Sequence, residues 1–142
     1  MHAQIQHYTI MRKILLLVLV TSSFSAFAQK SDFDQAIQKL MYAKKGMLSV
    51  ENMTKNLSKG IPEANKAAFI DKMNALTENF KTTAVQEFKR KYSTADIQEI
   101  YNEYTSDKIN YSDKTNDFFK FFRHLKGQFY SEAKRLYGDY QN

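Results

Sequence analysis

The stretch YSDKTNDFFKFFRHLKGQFYSEAKRLY, residues 111–137, decides the fold of this chain. At the 100° per residue of an α-helix, one narrow stripe collects its apolar residues: Tyr111, Thr115, Phe118, Phe122, Leu125, Phe129, Ala133 and Leu136. More aromatic residues flank the stripe, so the apolar face covers about half of the circumference, wider than the roughly 100° of an ordinary surface helix. We therefore predict a last helix over roughly Ile109 to Tyr137.

The aromatic face of this helix has two interpretations. In the first, the helix is central to a bundle and buries the face against neighbours on both sides. In the second, part of the face lines a groove for a partner helix or an apolar ligand. For the second, the candidate contact residues are Phe118, Phe119, Phe121, Phe122, Phe129 and Tyr130.

Capping residues and apolar residues at helical spacing predict more helices upstream. The first helix begins at Ser31 and ends at Gly46, and a second apolar stripe follows and stops at Gly60. Pro62 suits the first position of a long third helix, which ends near Phe88. Thr82-Thr83 is a candidate bend, because β-branched residues are weaker helix formers.

The clearest helix start in the chain is Ser93-Thr94-Ala95-Asp96. Either Ser93 or Thr94 can accept the unpaired backbone N–H groups, and Asp96 suits the helix dipole. We find no alternating apolar and polar run long enough for a strand. The predicted fold is all-α, a compact bundle of four to five helices forming one domain over residues 29–142. Gly127, on the polar face of the last helix, has three interpretations: a kink, a close backbone contact, or no structural role.

The N-terminal region predicts export. Arg12 and Lys13 precede seven consecutive apolar residues, and small residues follow up to Ala28. This order is typical of a secretory signal peptide, and the apolar run is too short for a transmembrane helix, which needs about 20 residues. We predict that the chain starts at Met11, that residues 1–28 are leader and signal peptide, and that cleavage after Ala28 yields a periplasmic or secreted protein. The alternative is an uncleaved anchor.

Composition limits the class of partner. The chain has no cysteine and a formal net charge of +6, two charges of which belong to Arg12 and Lys13 in the signal peptide. Lysines and acids alternate along the rest of the sequence, whereas a nucleic-acid site would show a concentrated basic stripe. We expect no nucleic-acid partner, and only weak attraction to an anionic membrane surface.

The sequence offers little for catalysis. His124 is the only histidine after Ala28, so zinc or copper would lack most of its usual ligands. Carboxylates four residues apart share a helix face at Glu99 and Glu103 and at Asp113 and Asp117. We interpret both pairs as solvated helix faces and His124 as a surface side chain. No enzyme activity, no metal and no cofactor are predicted.

The segment FKRKYSTADIQEIYNEYTS, residues 88–106, resembles the family called domain of unknown function 2059, a group of small exported bacterial proteins. The matching positions are Tyr92, Ser93-Thr94, Asp96, Ile97, Ile100, Tyr104 and Ser106, with Ile61-Pro62-Glu63 similar to the start of the family's middle helix. Asp107 and Ile109 stand where the family usually has Pro and Gly. The resemblance covers roughly residues 60–110. It implies an all-helical exported domain and no catalytic residue.

Two functional hypotheses follow. The first is a non-enzymatic interaction domain of the cell envelope that binds an envelope protein or an unfolded client through its aromatic face. The second is a carrier that encloses a small apolar molecule, such as a fatty acid or lipid, between its helices. Methionines at positions 41, 47, 53 and 73 would give such a carrier an adaptable lining. An enclosed apolar cavity of several hundred Å³ would distinguish the carrier.

Overall fold

A computed structural model describes residues 31–141, and every described helix or turn lies within that range. The predicted leader, start at Met11 and cleavage after Ala28 lie outside the described residues. The α-helices are α1 (Asp32–Tyr42), α2 (Leu48–Glu51), α3 (Met53–Ser58), α4 (Glu63–Lys91), α5 (Thr94–Thr105) and α6 (Asp113–Tyr140), with a 3₁₀ turn at Ala43–Lys45. Residues 31–141 contain no strand, so the predicted all-α bundle is confirmed.

The prediction that Gly46 ends the first helix is wrong. Helix α1 ends at Tyr42, and two lysines, Lys44 (φ 47°) and Lys45 (φ 62°), adopt the left-handed conformation that glycine usually takes at a helix end. Gly46 itself has φ −55°. It is needed for space, because an added Cβ would lie 2.4 Å from the carbonyl oxygen of Met41.

The second predicted helix is divided at Asn52 into the short helices α2 and α3. Taken together as one segment, they make the bundle one of five helices, as the sequence predicts. Helix α4 then runs from Glu63 to Lys91 without interruption at Thr82-Thr83. Pro62, expected as the first helical residue, is the extended residue before it. The two threonines therefore do not break the helix.

Helix α5 begins with a capping box. The backbone N–H of Asp96 donates to Oγ of Ser93 at 3.1 Å, and the Asp96 carboxylate accepts from the Ser93 backbone N–H at 2.9 Å. The predicted helix start is confirmed, and of the two candidate caps it is Ser93 that serves.

Helix α6 begins four residues later and ends three residues later than predicted. Ser112 caps it by accepting from the backbone N–H of Thr115, so residues 106–112 form an irregular connection that includes Ile109, which is 95% exposed. The helix continues through Gly127, where an added Cβ would meet no atom within 4 Å. The predicted close contact at Gly127 is therefore wrong.

The core lies between the two long helices, α4 and α6, with α1 and α5 packed together beside them. Apolar side chains of both long helices and of α1 and α5 fill it: Ile37, Leu40, Phe69, Met73, Phe88, Ile97, Ile100 and Phe118 are all essentially inaccessible to solvent. Of the four methionines proposed as a ligand lining, Met41, Met47 and Met73 belong to this core and Met53 packs against it. None of the helices described for residues 31–141 is long and apolar enough to span a membrane.

Candidate functional site

The structure divides the six candidate contact residues into two groups. Phe118, Phe122 and Phe129 are buried, at 0%, 3% and 3% exposure. Their aromatic rings form the centre of the core, where Phe118 stacks on Phe88 of α4 with ring centres 4.5 Å apart. These three side chains therefore present no surface to a partner, and the first interpretation of the aromatic face applies to them.

Phe119, Phe121 and Tyr130 are half-buried, and they do not form one surface. Phe121 lies beside the end of α4, with the Lys91 ammonium 4.8 Å from its ring centre. Tyr130 lies near the short helix α2, where its hydroxyl and that of Ser49 are 2.5 Å apart. Phe119 lines a concave surface large enough to hold part of a ligand.

We call this concave surface the Tyr104 pocket. It has a volume of about 480 Å³, and its lining combines aromatic, polar and charged residues: Tyr104, Tyr111, Asn116, Asp117, Phe119, Lys120 and Arg123. The aromatic part is continuous, since the ring of Tyr104 lies 4.2 Å from that of Phe119 and 5.8 Å from that of Tyr111, measured between centroids. The pocket thus joins the end of α5, the connection 106–112 and the first turns of α6.

Glu103 holds the connection 106–112 in place. Its carboxylate accepts hydrogen bonds from the Ser112 backbone N–H at 2.9 Å and the Ser112 hydroxyl at 2.6 Å, and from the Thr115 hydroxyl. These bonds from Ser112 and Thr115 lower the pKa of Glu103 to about 2. The interpretation of Glu103 as a solvated side chain is wrong, because its carboxylate closes the turn between α5 and α6.

A further hydrogen bond shapes the wall of the pocket. The amide nitrogen of Asn116 donates to the carbonyl oxygen of Tyr111 at 3.1 Å, which ties the last residue before the helix cap to the first turn of α6. Lys44, from the left-handed turn after α1, lies over the ring of Tyr104, with its ammonium 4.7 Å from the ring centre. The pocket is therefore built by contacts between distant parts of the chain.

Charge is unevenly distributed around the pocket. The side chains of Lys120 and Arg123 are exposed and take part in no ion pair or hydrogen bond with residues 31–141. Lys114, six residues before Lys120, instead pairs with Asp96 at 2.8 Å and with Glu99 at 2.7 Å. The positive charges of Lys120 and Arg123 are thus available to a ligand, whereas that of Lys114 is already neutralised.

A second concave surface lies between α4 and α6. Its volume is about 170 Å³, and its lining includes the apolar residues Leu76, Phe80, Ala84, Leu125 and Phe129, with Asn79, Thr83, Gln128 and Glu132 as polar residues. Small-molecule sites usually have volumes of about 300–1,000 Å³. This groove is therefore smaller than the cavity that the carrier hypothesis requires.

Among residues 31–141, His124 contacts the side chains of Phe121 and Gln128. The side chain is exposed, its ring is nearly parallel to that of Phe121 at 6.5 Å, and its Nε2 lies 3.3 Å from the amide nitrogen of Gln128. Within residues 31–141, no three histidine, aspartate or glutamate side chains come together in a way that could hold a metal ion. One buried polar atom has no hydrogen-bond partner there, the hydroxyl oxygen of Tyr92.

Several residues that line the Tyr104 pocket were not predicted from the sequence as site residues. Tyr104 is named from the sequence only as a position of the family resemblance, and Tyr111 is predicted in the stripe of the last helix, although it precedes that helix. Lys120 and Arg123 lie on the polar side of α6, where a charge is ordinary. One signal in the sequence was available: Ser112, which directly follows Tyr111, is a residue type that favours the N-cap of a helix. A helix capped by Ser112 begins after Tyr111, so this signal would have placed Tyr111 outside α6.

Comparison with known proteins found no matching family model, no matching curated protein and no matching solved structure. The resemblance of residues 60–110 to the domain of unknown function 2059 family stays a prediction.

Proposed function

We propose that this chain is an exported, non-enzymatic interaction domain of the cell envelope, and that it binds a partner protein or an unfolded client at the Tyr104 pocket. The observation that carries the proposal is the half-buried aromatic cluster of Tyr104, Tyr111 and Phe119 beside the unpaired cations Lys120 and Arg123. Aromatic residues and arginine are enriched at protein interfaces and dominate their binding energy.

The environment of these aromatic rings supports an interaction role over simple core filling. Each ring of the cluster packs on one side against another ring of the cluster and keeps part of its surface accessible. A rigid ring loses little conformational entropy when a partner covers it, because its χ angles are already restricted by packing. Ile109, two residues before Tyr111, is almost fully exposed and adds apolar surface to the connection 106–112.

Export and the absence of enzyme activity rest on the sequence. The basic, apolar and small residues of Met11–Ala28 have the order of a signal peptide. The residues after Ala28 include one histidine and no cysteine, which supports binding by surface complementarity over covalent or metal-based chemistry.

The carrier hypothesis receives less support. A carrier for a fatty acid needs an enclosed apolar volume, and the groove between α4 and α6, at about 170 Å³, is open to solvent and has Gln128 and Glu132 in its lining. The Tyr104 pocket is larger but has charged residues in its lining. Neither surface matches the predominantly apolar interior that an acyl chain requires.

Native mass spectrometry of the protein purified from the exported fraction tests the proposal. We expect a polypeptide that begins at Gln29, together with a complex whose extra mass is that of a second protein. Replacing Lys120 and Arg123 with alanine should reduce the complex, whereas alanine at the exposed Lys55 and Lys72 should leave it intact. An adduct with the mass of one lipid would favour the carrier, and retention of the leader in the cytoplasm would contradict export.

A further inference from the structure

The Tyr104 pocket carries an excess of positive charge. Its lining contains two cations, Lys120 and Arg123, and one acid, Asp117, and the Lys44 ammonium lies directly beside the cluster over Tyr104. Glu103, the nearest acid on α5, is engaged by Ser112 and Thr115 and lies 3.7 Å from the Lys108 ammonium.

Positive charge extends from the pocket along α6. The Lys126 ammonium donates to the carbonyl oxygen of Gly46 at 3.3 Å and lies 4.8 Å from the Phe122 ring centre. Burial, followed by the positive charge of Arg123, lowers the pKa of Lys126. Arg123 forms no ion pair with a carboxylate of residues 31–141, so an anionic group brought from outside would be attracted to this position.

We propose that the Tyr104 pocket binds an acidic segment of a partner protein, in which carboxylates contact Lys120 and Arg123 and an aromatic side chain packs against Tyr111 and Phe119. This inference rests on the proposed function, because it names the chemistry of the partner at the same site. Arginine can bind a carboxylate through two parallel hydrogen bonds, and aromatic rings pack favourably at edge-to-face or offset geometry.

The polar residues of the lining favour a polypeptide as the occupant over an anionic lipid. The amide nitrogen of Asn116 is used by Tyr111, which leaves the amide oxygen to accept from a backbone N–H of a bound segment. The Asp117 carboxylate can also accept from a backbone N–H of a bound segment, a donor that a lipid phosphate lacks. A volume of about 480 Å³ suits a few side chains of a peptide.

Short peptides test the inference on the ¹⁵N-labelled exported protein by NMR titration. The probe is the acetylated and amidated pentapeptide Asp-Glu-Phe-Asp-Glu, and its controls are Asp-Glu-Ala-Asp-Glu and Lys-Lys-Phe-Lys-Lys. We expect the probe to bind at least about tenfold more tightly than either control, with shifts concentrated over residues 104–123. Binding should weaken as salt is raised, because the rim charges are exposed.

Charge reversal provides the matched variants. The double variant Lys120→Glu, Arg123→Glu should no longer bind the acidic peptide and should bind the basic one. The control variant Lys55→Glu, Lys72→Glu has the same change in net charge at exposed positions outside the pocket, and it should still prefer the acidic peptide.

If the basic aromatic peptide binds the natural protein equally well at this pocket, the acidic inference is overturned while the interaction site stands. If no peptide binds and vesicles of equal parts phosphatidylglycerol and phosphatidylcholine do, the occupant is a membrane and the inference fails. Shifts confined to residues outside 104–123 would overturn the site itself.

Discussion

The backbone N–H of Ser112 donates to the carboxylate of Glu103 at 2.9 Å, and the Ser112 hydroxyl donates to the same carboxylate at 2.6 Å. This pair closes the connection between α5 and α6, and thereby sets the position of Tyr111 relative to Tyr104. The aromatic cluster of the Tyr104 pocket therefore depends on one carboxylate that contributes nothing to its lining.

The first prediction concerns the pH dependence that this carboxylate gives to stability. The pKa of Glu103 is lowered from 4.5 to about 2 by the hydrogen bonds from Ser112 and Thr115, so its contribution is fully present above pH 4.5 and is lost as the pH falls through 2. Denaturant unfolding of the natural protein and of Glu103→Gln should show the natural protein more stable above pH 4.5, with a difference that shrinks toward pH 2. A difference that is constant over this range would contradict the assignment.

The second prediction concerns the start of α5. Ser93→Ala removes the hydroxyl that accepts from the Asp96 backbone N–H, and should lower the free energy of unfolding by about 1 kcal/mol. Thr94→Ala is the matched control, because Thr94 is the first helical residue and alanine is the better helix former. Thermal unfolding should show a lower melting temperature for the Ser93 variant alone. Equal losses in the two variants would mean that Ser93 is not the cap.

The third prediction separates the core from the pocket at two adjacent phenylalanines. Phe118→Ala leaves a cavity beside Phe88, and should lower the free energy of unfolding by about 3–5 kcal/mol. Phe119→Ala removes a half-buried ring and should lower the free energy of unfolding by a clearly smaller amount. Urea unfolding of both variants measures the difference. A larger loss of stability in Phe119→Ala than in Phe118→Ala would show that Phe119, and not Phe118, faces the core.

The sequence predicted those features of the fold that depend on local interactions. The capping box at Ser93 and Asp96 lies within four residues, and the apolar stripe of α6 follows from helical spacing alone. The contacts of Phe118 and Phe119 could not be predicted, because periodicity separates neighbours by 100° without showing that Phe88 covers one of them and Tyr104 the other. Glu103 was misread for a similar reason. Its partner Ser112 lies nine residues away across an irregular connection, outside any helical spacing.

The end of α1 also departs from what the sequence predicts. Lys44 and Lys45 hold the left-handed conformation with φ of 47° and 62°, although glycine stands immediately after them. The Lys44 ammonium lies over the Tyr104 ring, a contact with a residue 60 positions later that no local pattern reports. Phe119 could thus be predicted from the sequence as a candidate site residue, but its cluster with Tyr104 and Tyr111 could not.

The fourth prediction contrasts two glycines. Gly127→Ala should raise the free energy of unfolding by about 1 kcal/mol, because the position is helical and an added Cβ meets no atom within 4 Å. Gly46→Ala should lower it, since the Cβ would lie 2.4 Å from the Met41 carbonyl oxygen. Differential scanning calorimetry of the two variants should show melting temperatures on opposite sides of that of the natural protein. Destabilisation by Gly127→Ala would indicate a contact at this face.

Site-specific photo-crosslinking tests the central claim most directly. A chain with p-benzoylphenylalanine in place of Tyr111, which keeps an aromatic ring in the lining and leaves both cations intact, is compared with one carrying it in place of Lys72, an exposed lysine of α4 outside the pocket. We expect illumination of exporting cells to join a protein to the chain at position 111, and much less at position 72, with the product reduced when Lys120 and Arg123 are also changed to alanine. Equal crosslinking at the two positions, or none at position 111, would contradict the claim that the Tyr104 pocket is an interaction site.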